Sequence, residues 1–238
     1  MSFEESNMPK IIVALDCDNE EKALSIAKKL SPKLCALKVG LELFVSYGPN
    51  IIKKLHHLGY KIFLDLKFHD INTTAIKSSV AAAKLGVWMM NIHSSGGTNM
   101  MKNVMNEIKK NNFDTLVLGV TILTSLDDKD IKEIGYANNV KEQVLSMTDQ
   151  CYHSNLNGVV CSASEAKAIK EKYPKNFICV CPGIRLSENN NNDQKRIVTP
   201  EIAAKNGADY IVVGRPVLDS IDPLTSLNNI KDKFYKAL

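Results

Sequence analysis

Asp65-Leu66-Lys67-Phe68-His69-Asp70 sets a carboxylate, an ammonium and a second carboxylate at the end of an apolar run. The run itself, Tyr60 to Leu66, is rich in aliphatic and aromatic residues and reads as a strand covered on both faces. Side chains alternate along a strand, so Phe63, Asp65 and Lys67 are expected on one face and Ile62, Leu64 and Leu66 on the other. Burying either charge alone would cost several kcal/mol, so Asp65 and Lys67 must be paired with each other or with further charges. The plain reading is a structural ion pair. Asp70, three residues on, and a second isolated lysine at Lys38 weigh toward an array of fixed charges that holds and acts on an anionic small molecule.

These residues need elements to position them, and the chain supplies a regular alternation. Lys10 to Asp16 reads as a strand ending in a carboxylate, and Glu20 to Leu30 as a helix with Ala23, Leu24, Ala27 and Leu30 at helical spacing. Leu34 to Gly40 is a second strand, with Lys38 on the face of Ala36, and Ile51 to Leu58 closes the helical segment after it. Thr73 to Leu85 follows the third strand as an Ala-rich helix. Gly59 and Gly86 stand where the second and third helices should stop. Further strands are expected at Val87 to His93, Thr115 to Thr121, Gly158 to Cys161, Phe177 to Cys181 and Asp209 to Val213. Helices are expected from the Ser94 to Gly97 turn onward and over Val140 to Ser154, Ser164 to Lys172, Pro200 to Asn206 and Leu224 to Leu238. Ser187 to Lys195, with four consecutive asparagines, reads as a flexible polar loop.

Eight strands alternating with helices at roughly thirty residues per unit argue for a (β/α)8 TIM barrel, one domain over residues 1–238. A doubly wound open sheet is the rival, but Asp16-Cys17-Asp18-Asn19 stands after the first strand where a dinucleotide-binding glycine fingerprint would be. In a barrel, catalytic groups gather at the C-terminal ends of the strands. Those ends here carry Asp16, Lys38, Asp65, Lys67, His93, Thr124, Arg185 and Arg215. Singly, His93 reads as a satisfied core histidine and Asp16 equally well as a helix cap or a ligand contact.

The 238 residues are 45% hydrophobic and 24% charged, enough for a large core. The formal charge of +4 is spread along the chain, which suits a phosphorylated small molecule and makes no case for nucleic acid. Six cysteines at irregular spacing read as reduced, mostly buried thiols. The amino-terminal residues do not resemble a secretory signal, and no apolar stretch is long enough to span a membrane, so a cytoplasmic location is expected.

At Asp65-Leu-Lys67-Phe-His-Asp70-Ile71 the chain resembles the orotidine 5'-phosphate decarboxylase family, which carries Asp-x-Lys-x-x-Asp-Ile after its third barrel strand. Leu15-Asp16, Leu37-Lys38-Val39-Gly40, Leu123-Thr124-Ser125, Pro182-Gly183-Ile184-Arg185, Asp193-Gln194 and Val213-Gly214-Arg215-Pro216 follow in the order that family places them. The resemblance implies decarboxylation of orotidine 5'-phosphate to UMP and CO2, in de novo pyrimidine nucleotide synthesis, without metal or organic cofactor. It implies a catalytic array of Lys38, Asp65, Lys67 and Asp70, and a homodimer in which Asp70, Ile71 and Thr74 reach the partner's site. Asp16 and Lys38 would hold the ribose hydroxyls, Thr124 would face the nucleotide, and Arg185, Gln194, Gly214 and Arg215 would surround the phosphate. The pattern departs from the family at Leu186, where proline is frequent, at Cys181, where threonine is, and in the asparagine run. Two other readings fit parts of the pattern: a metal-dependent sugar-phosphate decarboxylase or epimerase, and a barrel that binds a phosphorylated ligand without turnover.

Overall fold

The computed structural model describes residues 8–186 and 197–238. Strands β1 (Ile11–Ala14), β2 (Ala36–Gly40), β3 (Ile62–Phe68), β4 (Met89–His93), β5 (Leu116–Val120), β6 (Gly158–Val160), β7 (Ile178–Cys181) and β8 (Tyr210–Val213) pair in parallel, each with its sequence neighbour, and β1 also pairs with β8. The sheet is therefore a closed barrel. Helices α1 (Glu20–Lys29), α2 (Leu41–Tyr47), α3 (Pro49–His57), α4 (Asn72–Lys84), α5 (Gly97–Lys110), α6 (Asp128–Glu133), α7 (Val140–His153), α8 (Ala163–Lys172), α9 (Pro200–Lys205), α10 (Arg215–Leu218) and α11 (Pro223–Tyr235) connect the strands and close the chain. The expected elements agree within a few residues. Three short helices, α2, α6 and α10, were not separately anticipated; four to seven residues are too few to show a helical period.

Alternation along the strands divides the apolar residues into two sets. Ile12, Ala36, Phe63, Met89, Leu118 and Val180 fill the barrel interior. Residues such as Val13, Leu37, Leu64, Met90 and Val213 point outward and pack beneath the helices. Trp88 and Tyr210, at the N-terminal ends of β4 and β8 on opposite sides of the barrel, meet edge to face at 5.3 Å and pack against the interior set. The barrel is thus a filled core whose usable space lies at the C-terminal ends of its strands. All six cysteines are buried and none forms a disulfide. Gly59 holds a φ of 85° just past α3 and donates its N–H to His56, the expected helix stop.

One strand is irregular. Leu64 pairs with Met90 and Phe68 with Ile92, so four steps along β3 match only two along β4, and the intervening residues bulge. Lys67, in that bulge, takes a φ of 51°, a left-handed conformation that costs a non-glycine residue roughly 1–2 kcal/mol. The expected regular alternation is therefore corrected at Lys67. Phe63 and Asp65 share the inner face by pleating, while Lys67 reaches the same side because the strand is broken there.

At Gly158 a Cβ would lie 2.1 Å from the Ile178 carbonyl oxygen on the neighbouring strand. Gly158→Ala should cost about 3 kcal/mol through forced separation of β6 and β7, which for a chain of this length is a fall of roughly 6–12 °C in Tm. Calorimetry showing a change below 2 °C would mean the strands absorb the methyl group.

Candidate active site

At the C-terminal ends of β1, β2 and β3, four charges stand in an alternating row. Lys38 Nζ lies 2.9 Å from Asp16 Oδ1 and 3.3 Å from Asp65 Oδ2, and Lys67 Nζ lies 2.7 Å from Asp65 Oδ1. Asp65 and Lys38 are largely buried, with side chains 14% and 10% exposed, while Asp16 and Lys67 reach the cavity more openly. Burial alone would push Asp65 toward its neutral form. The Lys38 and Lys67 charges, with hydrogen bonds from Lys67 and Asn91, outweigh it and hold the carboxyl below its ordinary range. Burial likewise opposes the Lys38 charge, and Asp65 and Asp16 overcome it, raising that ammonium's pKa. Asp16 is thus a partner of Lys38; the cap of α1 is Asn19, whose side chain accepts the Lys22 N–H at 2.8 Å.

Gly40 makes room for this row. A Cβ there would sit 3.1 Å from Lys38 Nζ and 3.4 Å from Asp16 Oδ1. Asn91, fully buried on β4 opposite the bulge, supports the row from below. Its Nδ2 donates to Asp65 Oδ1 at 2.7 Å and its Oδ1 accepts the Lys67 backbone N–H at 2.8 Å. Sequence reasoning missed Asn91. The available signal was a lone amide on the same face as Met89, before His93, in a strand beside the charged one.

A cavity of about 620 Å³ opens above the row. Asp16, Lys38, Asp65, Lys67, Thr124, Arg185, Gly214 and Arg215 all line it, as does Lys22, which the sequence reading did not single out. Among the described residues, five cations face three carboxylates across its lining, Asp219 being the third, a balance that suits a multiply charged anion. Arg185 follows β7 and Gly214-Arg215 follow β8, on the far side of the mouth from β3.

Asp70, Ile71 and Thr74 do not join the cavity. All three are exposed, Ile71 at 74%, and the Asp70 carboxylate accepts the neighbouring Ile71 N–H at 2.7 Å. Asp70 and Ile71 line a separate surface depression with His69, Asn72, Ser95 and Gly96. His93 also stays outside the main cavity. It stacks on His69 at 5.4 Å, accepts the Ser95 N–H, and is held to a pKa of about 4, first by burial and then by the His69 and Lys67 charges. Gln194 and the polar loop lie outside the described residues. Among the described residues, no three or more His, Cys, Asp or Glu side chains are grouped to hold a metal ion.

The match to a family model runs over residues 9–230 and carries the description orotidine 5'-phosphate decarboxylase / HUMPS family. The chain belongs to this family. Curated relatives named orotidine 5'-phosphate decarboxylase include one from Coxiella burnetii, 46% identical over 96% of this chain and 98% of that one. Another, from Legionella pneumophila, is 45% identical over 90% and 94%. A crystal structure of orotidine 5'-phosphate decarboxylase from Lactobacillus acidophilus superposes with a TM-score of 0.83 at 38% identity, covering 95% of this chain and 99% of that one. The fold expected from the alternation of elements is therefore also the fold of a family relative.

The charged row has a signature in stability. Asp65→Ala should cost at least about 2 kcal/mol at neutral pH in chemical denaturation. This is below the 3–5 kcal/mol typical of a fully buried pair because Lys38 keeps Asp16 and Lys67 can take up water. Asp65 has a depressed pKa when folded, so its contribution is full above the ordinary carboxylate value and is lost as pH falls through the folded one. The gap between wild type and variant should accordingly narrow below about pH 4. A gap that is absent at pH 7, or that widens in acid, would remove Asp65 from the centre of the row.

Proposed function

We propose that the protein is a decarboxylase of orotidine 5'-phosphate, forming UMP and CO2 in pyrimidine nucleotide synthesis. The observation that carries this reading is the Asp16–Lys38–Asp65–Lys67 row beneath a cavity sized for one nucleotide, in a chain of this family. Cleaving the bond between C6 and the carboxylate leaves its electron pair on C6, where no adjacent carbonyl delocalises it simply. A fixed cation beside that carbon is the remedy. Lys67 is placed to stabilise the pair and then to give C6 its proton, recovering one from solvent. At 4 Å and an effective dielectric near 20 one such charge is worth about 4 kcal/mol, so Lys67 must act with preorganised neighbours. Asp65 holds it, and Lys38 keeps Asp65 ionised.

The rest of the cavity fits the remainder of the substrate. Asp16 and Lys38 would bind the ribose hydroxyls, Thr124 would face the base, and Arg185, Gly214 and Arg215, with Gln194, would take the phosphate beyond β7 and β8. The metal-dependent decarboxylase among the rivals would need an acidic ligand on β2, where Lys38 stands. We further infer that residues 1–238 act as one domain, in the cytoplasm, as a homodimer whose Asp70, Ile71 and Thr74 serve the partner's site. Their exposure on one face, away from their own chain's cavity, supports that reading.

Two measurements test these proposals. Orotidine 5'-phosphate should be decarboxylated at the same rate with and without EDTA, as followed by absorbance. Loss in EDTA that Mg²⁺ restores would transfer the protein to the metal-dependent reading, and nucleotide binding without turnover would make it a binding protein. For the shared site, inactive Lys67→Ala and Asp70→Ala proteins are mixed and allowed to exchange subunits. Half the dimers are then mixed and each has one intact site, so roughly a quarter of wild-type activity should return. No return after demonstrated exchange would assign Asp70 to its own subunit.

A further inference from the structure

The bulge in β3 creates a problem that Asn91 solves. Regular pairing would direct alternate β3 N–H groups in this region to carbonyls on β4, the others facing β2, but Leu64 to Phe68 advances two residues more than its partner strand. The Lys67 N–H therefore faces the Asn91 side chain and donates to Oδ1 at 2.8 Å, while Asn91 Nδ2 donates to Asp65 Oδ1 at 2.7 Å. The same Asp65 oxygen receives Lys67 Nζ at 2.7 Å. One fully buried amide thus closes a loop through the backbone of Lys67, its ammonium and the carboxylate that holds the ammonium. Lys67 needs such support, because its φ of 51° is one that an unrestrained lysine leaves readily. Asn91 lines no part of the cavity and has no route to substrate.

We propose that Asn91 is a positioning residue for Lys67, fixing the ammonium where negative charge develops in the reaction. The inference rests on the decarboxylase reading above. An amide is the side chain that fits, since the loop requires one donor toward Asp65 and one acceptor toward the Lys67 N–H at the same depth. Alanine supplies neither. Aspartate keeps the shape and the acceptor but replaces the donor by a carboxylate oxygen facing Asp65, with Lys38 and Lys67 as the other charges against Asp65 and Asp16 beyond Lys38.

The test compares wild type, Asn91→Ala and Asn91→Asp with orotidine 5'-phosphate as substrate, alongside UMP binding and thermal melting. Misplacing a catalytic group by about 1 Å can cost on the order of 100-fold, so Asn91→Ala should lose kcat to about that extent while KM and UMP affinity change less than about threefold. Asn91→Asp should lose kcat comparably and move the acid limb of its pH profile upward by about one unit or more, because two facing carboxylates share a proton. A purely structural role would lower Tm but leave kcat of the folded enzyme, and its acid limb, unchanged. That result, or a loss shared equally by kcat and UMP affinity, overturns the proposal. If Asn91→Ala does not fold, the isosteric Asn91→Asp decides alone. A wild type without turnover removes the decarboxylase reading and this inference with it, whereas active wild type with unaffected variants removes this inference only.

Discussion

Everything at the barrel mouth depends on the Asp65 carboxylate being ionised in a place where burial opposes it. Two lysines and one amide converge on its two oxygens, and both lysines have a second tether. Lys38 is shared with Asp16, the Lys67 backbone is caught by Asn91, and Gly40 omits the side chain that would crowd Lys38. The arrangement is an alternating line of charges that cancels internally, so it can be desolvated at tolerable cost and still present an ammonium to the cavity. A site that stabilises a transient negative charge needs such an ammonium fixed in advance, because reorienting solvent or side chains during the reaction would consume the gain.

The fold was legible because its signals are redundant. Each helix that ends at a glycine and each apolar run that follows repeats the same message, so no single misread boundary changes the conclusion. The residues of the row were legible for a different reason: a lysine or aspartate at the end of an apolar strand conflicts with burial, and that conflict marks it. Asp65, Lys67 and Lys38 were found this way, and they do meet.

What the sequence concealed is geometry that depends on pairing. Nothing in Ile62 to Phe68 announces that β3 carries surplus residues relative to β4, since a bulge is a relation between two strands rather than a property of one. The alternation rule therefore put Lys67 on the right side for the wrong reason. Asn91 was missed because an amide in a strand conflicts with burial less than a charge does, and its partners become visible only once β3 and β4 are placed side by side. The short helices α6 and α10 were unreadable for want of length.

The Trp88–Tyr210 contact across the floor has a consequence for traffic through the molecule. With the interior packed from that floor up to the charged row, the cavity is a cul-de-sac: nothing crosses the barrel, and every reactant and product passes the same rim. On the proposed assignment of Lys67 to the reacting carbon and of Arg185 and Arg215 to the phosphate, CO2 formed at the deep end would leave around a nucleotide anchored near β7 and β8. On that assignment the order in which the two products depart would follow from the width of the gap the nucleotide leaves at the rim, a steric property quite separate from the electrostatics that break the bond.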